Sequence, residues 1–277
     1  MTSEKDGRSR ADNASLGVVI PSFGRPEHVR RAVRSAVRSG VDEVVVVDDA
    51  SPVPVDLDEV RGDRVRLVRH EENRGVCAAR NTGMGHSESS HLIFLDDDDA
   101  LLPWAGWFYR RWIRAAAAQD PLSIVVGGIV VEGSARRPHI RRPASSRKRE
   151  IWGLDAHLSR NGHSINTKQA AAIPRVALET VGGWDEALRS RSSSEMFYRL
   201  TEITAVAGHA MPVYRLNRGG HDKLTANPAL RAESHGYIAR KHADLLADPA
   251  RRELFEATHR NMLGRTAGPE AKPERHS

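Results

Sequence analysis

Cysteine and long apolar segments are scarce in this chain of 277 residues. The single cysteine, Cys77, excludes an internal disulfide and favours a reducing cytoplasm. Because Cys77 lies among alanines, it is typical of a small buried thiol rather than of a nucleophile. No apolar run approaches the roughly 20 residues that span a bilayer, and the polar start carries no apolar signal segment. We therefore expect a soluble cytoplasmic protein, whose 39% of hydrophobic residues suffice for a core.

Acidic residues are missing from residues 134–149. This segment holds seven cations, one more than the net charge of +6 of the whole chain: Arg136, Arg137, Arg141, Arg142, Arg147, Lys148 and Arg149. The basicity is therefore local, and it indicates either a solvated loop or a mobile arm that meets phosphates on a donor, an acceptor or a membrane surface. Aromatic residues do not interleave with these cations, so we expect no nucleic-acid partner.

Short apolar strands alternate with helices in the first half of the chain. The pattern predicts strands over 16–20, 44–47, 65–68, 92–95 and 123–131, and helices over 26–40, 75–84 and 103–118. This alternation is typical of an α/β fold, with a mostly parallel central sheet flanked by helices. Further along, the pattern predicts helices over 170–181, 195–205, 236–246 and 249–263, and a short strand over 211–216.

The most informative stretch is the apolar segment 92–95, which ends in four consecutive aspartates at 96–99. Carboxylates held this close repel each other, and a divalent cation relieves the repulsion. Mg²⁺ is commonly held by one or two carboxylates together with substrate phosphates. The polar clusters 21–23 and 48–49 also follow strands, and ligands of such sheets bind beyond the carboxyl ends of the strands. The sequence predicts a nucleotide diphosphate site there, with a solvated acidic turn as the alternative.

Several groups of residues follow one another in a fixed order. They are Val19-Ile20-Pro21-Ser22-Phe23, Val47-Asp48-Asp49-Ala50-Ser51, Asn73-Arg74-Gly75 with Ala79-Arg80-Asn81, Phe94-Leu95-Asp96-Asp97-Asp98 with Pro103, Gly182-Gly183-Trp184-Asp185-Glu186, and Tyr214-Arg215 with Gly220-His221. In this order and spacing they resemble the inverting family 2 glycosyltransferases of the GT-A fold. The likeness covers about residues 16 to 246, which is most of the chain.

The resemblance implies a GT-A nucleotide-diphospho-sugar transferase fold with a helical C-terminal acceptor part. The expected divisions are a flexible tail over 1–15, a nucleotide-sugar-binding half over 16–131, a basic mobile arm over 132–150, an acceptor half with C-terminal helices over 151–263, and a disordered tail over 264–277. The implied activity is transfer of a hexosyl group from a nucleotide diphosphate donor, UDP- or dTDP-linked, to an acceptor hydroxyl by direct displacement, with Mn²⁺ or Mg²⁺ as cofactor.

The resemblance also implies roles at the donor site. Phe23 offers a ring face to the base, Asp49 accepts hydrogen bonds from the base, and Arg80 faces the diphosphate or the base. The full set of predicted donor residues is Pro21, Ser22, Phe23, Arg25, Asp48, Asp49, Arg80, Asp96 and Asp97. The cation is expected on Asp98, with His221 as a further metal contact. Within the four aspartates the assignment is open by one residue.

The catalytic base is where this chain departs from the family pattern. Many members carry Glu-Asp at the positions that are serine here, 192 and 193, when the chain is aligned on Arg199 and Leu200. The nearest carboxylate is Glu195, which we predict as the base, with Asp185 as the alternative. A helix first-turn acid near the positive dipole end is the competing interpretation of Glu195. The residues expected to shape the acceptor pocket are Gly183 and Trp184.

Other functions are weighed against this one. A sugar-1-phosphate nucleotidyltransferase is disfavoured because residues 21–25 hold one glycine rather than a Gly-rich loop, and a dinucleotide oxidoreductase is disfavoured because no Gly-x-Gly-x-x-Gly follows a strand. A nucleotide-sugar or glycan-binding protein without turnover stays open, because of the serines at 192 and 193. The acceptor, whether a sugar, a natural product or a lipid-linked molecule, and the oligomeric state are not readable; peripheral membrane contact stays open.

Overall fold

The computed structural model of this chain describes residues 14–60, 62–118, 120–133, 137–143, 167–219 and 227–264. His221, the predicted C-terminal tail beyond 264, and nearly all of the predicted N-terminal tail lie outside the described residues. So does most of the predicted basic arm.

Nine strands and seven α-helices make up the described part. The strands are β1 Leu16–Ser22, β2 Glu43–Asp48, β3 Val65–Arg69, β4 His91–Phe94, β5 Ala100–Leu101, β6 Ile124–Glu132, β7 His139–Arg141, β8 Ala171–Pro174 and β9 Val206–Asn217. The helices are α1 Pro26–Arg38, α2 Val76–His86, α3 Ala105–Ala117, α4 Arg175–Thr180, α5 Ser192–Thr201, α6 Pro228–Lys241 and α7 Pro249–Gly264. Short 3₁₀ turns cover Asp58–Val60, Lys168–Ala170 and Leu245–Ala247.

The strands form one sheet in the order β3-β2-β1-β4-β8-β6-β9-β5, with β7 paired to β6. Strands β1 to β4 are parallel, which confirms the predicted parallel sheet for this half. Beyond β4 the directions are mixed, because β8 runs antiparallel to both β4 and β6 while β6 and β9 are parallel. Ser22 pairs with Asp48 across β1 and β2, so the polar ends of these two strands lie side by side.

Two hydrophobic clusters cover the two faces of the sheet. The first joins β1 to helices α1 and α3, where the buried residues of α1 recur three and four apart as the sequence predicts: Val29, Ala32, Val33 and Ala36. The second joins β4, β6 and β8 to helices α2, α4, α5, α6 and α7. Cys77 lies buried in the second cluster, which agrees with its interpretation as a structural thiol.

The prediction of one helix over 170–181 is wrong. A 3₁₀ turn is followed by strand β8, and only Arg175–Thr180 is α-helical. Alanine favours helices, but Ala171 and Ala172 lie fully buried between β4 and β6, where the backbone groups find strand partners. Tertiary pairing therefore overrides helix propensity here. Part of the predicted basic arm, His139–Arg141, is also a strand rather than a free segment.

Candidate donor and acceptor site

The three polar clusters predicted from the sequence meet at the carboxyl edge of the sheet, because Ser22 is paired with Asp48 and bonded to Asp97. Ser22 Oγ donates to Asp97 Oδ2 over 3.2 Å, and Arg25 lies 2.7 Å from Asp97 and 3.5 Å from Asp98. The loop after β1 is thus fastened to the acidic loop after β4. Phe23 is 48% exposed between them, so this ring is not part of the core and stays available to a ligand, whereas Pro21 and Ser22 are buried in β1.

The four aspartates have four different environments. Burial raises the pKa of Asp97 to about 7, against the opposing effect of Arg25. Burial also raises the pKa of Asp99 to about 8, and this side chain accepts hydrogen bonds from the Tyr214 hydroxyl at 2.7 Å and the Asn217 N–H at 2.8 Å. Asp97 and Asp99 are therefore held inside the protein. Asp96 has a half-exposed side chain that lines the pocket, and Asp98 lies 3.5 Å from Arg25 with 9% of its side chain exposed.

Arg80 links the acidic loop to the predicted acceptor pocket. The guanidinium lies 2.7 Å from Asp96 and stacks 4.4 Å from the centre of the Trp184 ring. Trp184 in turn packs edge-on against Phe94 at 4.9 Å. A pocket beside this stack is lined by Arg80, Phe94, Asp96, Lys168, Gln169, Ala171, Ile173, Trp184, Ser193 and Phe197. The predicted donor residues Arg80 and Asp96 and the predicted acceptor residue Trp184 are thus brought together.

Two buried donors in this pocket lack a hydrogen-bond partner within the described part of the chain. They are Arg80 Nε and Trp184 Nε1. An unpaired buried donor costs about 1 to 3 kcal/mol. Both atoms belong to side chains that line the pocket, so an acceptor oxygen of a bound ligand could remove that cost.

The acidic loop fits a cation that is shared with a ligand. No cluster of three or more His, Cys, Asp or Glu side chains suited to a metal ion occurs among the residues that the structure describes. Mg²⁺ is nevertheless commonly held by one or two carboxylates together with substrate phosphates and water. Asp96 and Asp98 would supply these two carboxylates, each beside an arginine: Arg80 at 2.7 Å from Asp96 and Arg25 at 3.5 Å from Asp98.

Asp48 and Asp49 hold loops in place. Asp49 accepts from the backbone N–H groups of Arg74 at 2.9 Å and Gly75 at 2.7 Å, and His70 Nδ1 lies 2.7 Å from the same carboxylate. A carboxylate offers about four acceptor positions, so Asp49 keeps room for about one further donor. Base recognition by Asp49 therefore stays a prediction. Asp48 is buried and accepts from the N–H groups of Ser51 and Val55 beside Arg69, so we expect it to act on the donor only through that loop.

The structure does not support Glu195 as the catalytic base. Its side chain is 0% exposed and is enclosed by Arg199 at 2.6 Å, Lys241 at 2.8 Å and His242 at 3.2 Å. Burial alone would raise the pKa of Glu195, but hydrogen bonds from these three cationic or polar groups outweigh it and lower the pKa to about 2. Such a weak base, closed off from an acceptor, is a structural ion-pair centre.

Asp185 has the same kind of role. Burial is again outweighed, and hydrogen bonds from Lys241 and Tyr237 lower its pKa. Lys241 lies 2.5 Å from Asp185 and 2.8 Å from Glu195, so one ammonium joins helix α6 to the 182–186 loop and to α5. Both predicted bases therefore lie in one ion-pair network that is centred on Lys241.

A comparison with known families decides the classification. The model of glycosyl transferase family 2 matches residues 17–182, which is more than half of the chain. This chain belongs to that family. The Pre-mycofactocin glycosyltransferase of Mycobacterium tuberculosis is 28% identical over 248 residues, which are 86% of this chain and 50% of that protein. The chain thus spans about half the length of this relative. Succinoglycan biosynthesis protein ExoO of Rhizobium meliloti is 37% identical over 104 residues, 36% of this chain and 29% of that protein.

Solved structures confirm the predicted GT-A fold of this family 2 member. S. aureus TarS, residues 1–349, superposes with a TM-score of 0.63 at 16% identity, covering 94% of this chain and 76% of TarS. The same protein in complex with UDP-GlcNAc gives a TM-score of 0.65 at 16% identity and the same coverage. As for membranes, within the described ranges we find no helix with the length and apolar character of a membrane span.

Sequence reasoning assigned no role to several residues of this family 2 site. Asn81 receives the Trp184 N–H at 2.8 Å and donates to the Trp184 carbonyl at 2.9 Å, so it clamps the loop that carries the predicted acceptor residues. Asn81 belongs to a motif already recognised, which is the signal that could have found it. Lys168 and Gln169 line the pocket without any motif around them, and burial lowers the pKa of Lys168 to about 7.

Proposed function

We propose that this chain is an inverting glycosyltransferase that moves a sugar from a nucleotide diphosphate donor, most simply a UDP- or dTDP-sugar, to an acceptor hydroxyl. The observation that carries the proposal is the junction of the β1 and β4 loops through Asp97, beside a pocket lined by Arg80 and Asp96, in a family 2 chain. The likeness to a TarS complex with UDP-GlcNAc supports a uridine donor.

Each side of the site has a distinct task in this proposal. Phe23 offers an exposed ring to the base. Arg80 is held by Asp96 and Trp184, which supports a role in which its charge would meet the diphosphate without reorientation. Asp98, with Asp96 beside it, would hold Mn²⁺ or Mg²⁺, and that ion would offset the negative charge of the departing diphosphate. Trp184 would place the acceptor sugar or ring next to the donor.

A second candidate function is nucleotide-sugar binding without turnover. It is favoured by one observation: Glu195 and Asp185 are both engaged with Lys241, and Ser193 lines the pocket where a base is expected. In this alternative the donor site is the same. Neither Glu195 nor Asp185 acts as a base that removes the proton from the acceptor hydroxyl.

Release of nucleotide diphosphate tests the proposal. The protein is incubated with Mn²⁺ or Mg²⁺, a panel of sugar nucleotides and candidate acceptors, and thermal stability is recorded in parallel. We expect metal-dependent release from one donor, reduced at least about 100-fold by Asp98→Ala, since it removes a charge at the leaving group.

The matched control is Asp63→Ala. Asp63 is exposed and precedes β3, at the amino end of the parallel strands, whereas Asp98 follows β4 at their carboxyl end. The Asp63 variant should therefore keep full release. If a sugar nucleotide stabilises the protein against heat but no acceptor mixture gives release of nucleotide diphosphate, binding without turnover is favoured. If no sugar nucleotide stabilises the protein or is hydrolysed, the donor site itself is refuted.

A further inference from the structure

We propose that the exposed side of helix α3 docks on the surface of an anionic lipid bilayer. We call this surface the Trp–Arg face and define it by Trp104, Trp107, Arg111, Arg114 and Met211. Trp104 precedes α3 directly, and the other helical members follow at spacings of three and four residues. These spacings place their side chains on one side of the helix.

Three exposed side chains make up the apolar part of the face. Trp104 is 42% exposed, Trp107 is 57% exposed and Met211 is 39% exposed. Trp104 Nε1 donates to the Pro212 carbonyl at 2.7 Å, which ties the start of α3 to the part of β9 that carries Met211. Tryptophan is normally well covered in folded proteins, and contiguous exposed apolar surface marks interaction sites.

The opposite side of α3 shows that this exposure is not loose packing. Phe108, Tyr109 and Ile113 are fully buried against the sheet in the first hydrophobic cluster. The helix is therefore firmly docked on the sheet by one side and presents the indoles on the other.

Two cations make up the charged part of the face. Arg111 and Arg114 are exposed and have no acidic partner in the part of the chain that the structure describes, and α3 itself contains no acidic residue. Arg110 differs, because it points away to Asp42 at 2.8 Å and to the Gly40 carbonyl at 2.8 Å. The Arg111 guanidinium lies 5.7 Å from the centre of the Trp112 ring, a contact that leaves its charge unneutralised. Arg111 and Arg114 thus lie on the same side of α3 as the exposed indoles.

This combination fits a bilayer with anionic headgroups better than a second copy of the chain. Indole rings sit at the headgroup level of membranes, and Arg side chains bind anionic headgroups beside them. A symmetric dimer through the Trp–Arg face would bring Arg111 and Arg114 of both copies together, and like charges at an interface are unfavourable.

Sedimentation with lipid vesicles tests the inference without any donor or turnover, so its outcome does not depend on the proposed activity. The full chain is mixed with vesicles of phosphatidylcholine alone or phosphatidylcholine with phosphatidylglycerol. We expect binding only to the anionic vesicles. Arg111→Gln/Arg114→Gln should weaken partitioning roughly 25-fold, because each cation near such a surface is worth roughly five-fold. Trp107→Ala should also weaken partitioning onto the vesicles, and this loss should persist at high salt, where the charges are screened.

The matched control is Arg31→Gln/Arg34→Gln, which removes two exposed cations of α1, one of them directed to Glu59, and should lose little binding. Val176→Ala, at an exposed apolar residue of α4, controls for the loss of the indole. The inference is overturned if the anionic vesicles do not bind the chain, if the α1 control weakens binding as much as the α3 variant, or if Trp107→Ala has no effect. Binding to a single-stranded oligonucleotide but not to vesicles, or a dimer lost in Trp107→Ala, would also overturn it.

Discussion

At the residue scale, the four consecutive aspartates show how identical side chains acquire different chemistry. Asp99 is buried against Tyr214 and Asn217, and Asp97 against Ser22 and Arg25. The sequence predicts an acidic loop at a strand end, and that prediction is confirmed by the position of the loop after β4. Which of the four acids face a ligand depends on partners far away in the chain, so spacing alone left the assignment open.

Glu195 gives a prediction at this scale. Glu195→Gln should lower the free energy of unfolding by about 3 kcal/mol, because it removes the fully buried charge that Arg199, Lys241 and His242 share. The pKa of Glu195 falls from an unfolded value of 4.5 to about 2. The stabilisation is therefore full above about pH 4.5 and is lost as the pH falls through about 2. Urea unfolding between pH 7 and low pH measures it.

Glu202→Gln is the control for that experiment, since Glu202 is exposed at the end of α5. The free energy of unfolding of the Glu195 variant should be lower than that of the Glu202 variant at pH 7. The two values should converge in acid. A Glu195→Gln protein of unchanged stability that has lost all transfer activity would instead restore Glu195 as the base.

At the element scale, hydrophobic periodicity predicted helices with one buried face, and continuous apolar runs predicted strands that are buried on both faces. Helix α1 and strand β2, which is buried from residue 44 to 48, agree with their patterns. Strand β8 does not, because its short Ala-rich sequence carries no periodic signal and its state is set by pairing with β4 and β6. Strand β9 is longer than predicted, since its pairing with β6 continues across a register shift near Gly128.

The loop between α4 and α5 gives a second prediction. Gly183 has φ +69°, and a Cβ there would lie 2.8 Å from Asn81 Oδ1, the atom that holds the Trp184 N–H. Gly183→Ala should cost more than the roughly 1 to 2 kcal/mol of left-handed backbone strain, because the Asn81 clamp must also move. Urea denaturation measures the cost.

The neighbouring glycine separates strain from contact. Gly182 has φ +79° and nothing within 4 Å of an added Cβ, so Gly182→Ala should show the strain alone. If Gly182→Ala and Gly183→Ala lose equal free energy of unfolding, the contact with Asn81 adds no cost of its own.

At the scale of the whole molecule, the two hydrophobic clusters share the same strands. Leu16, Val18 and Ile20 of β1 belong to one cluster and Val19 to the other. We therefore expect one cooperative unfolding transition, in which urea curves from far-ultraviolet circular dichroism and tryptophan emission coincide. Two separated transitions would show that the halves unfold independently. Trp184 belongs to the second cluster and Trp112 packs against the first, so tryptophan emission reports on the unfolding of both clusters.

The sequence by itself determined the alternation of strands and helices, the polar strand ends, the acidic loop and the family. These properties are encoded by neighbouring residues, through hydrophobic period and motif spacing. Only the tertiary structure decided that Asp99 is an internal tie, that Glu195 is enclosed and that Ala171–Pro174 is a strand. Each of these depends on contacts between distant residues, such as Tyr214 with Asp99 across 115 positions, because burial and partner charge are set by what the fold brings together.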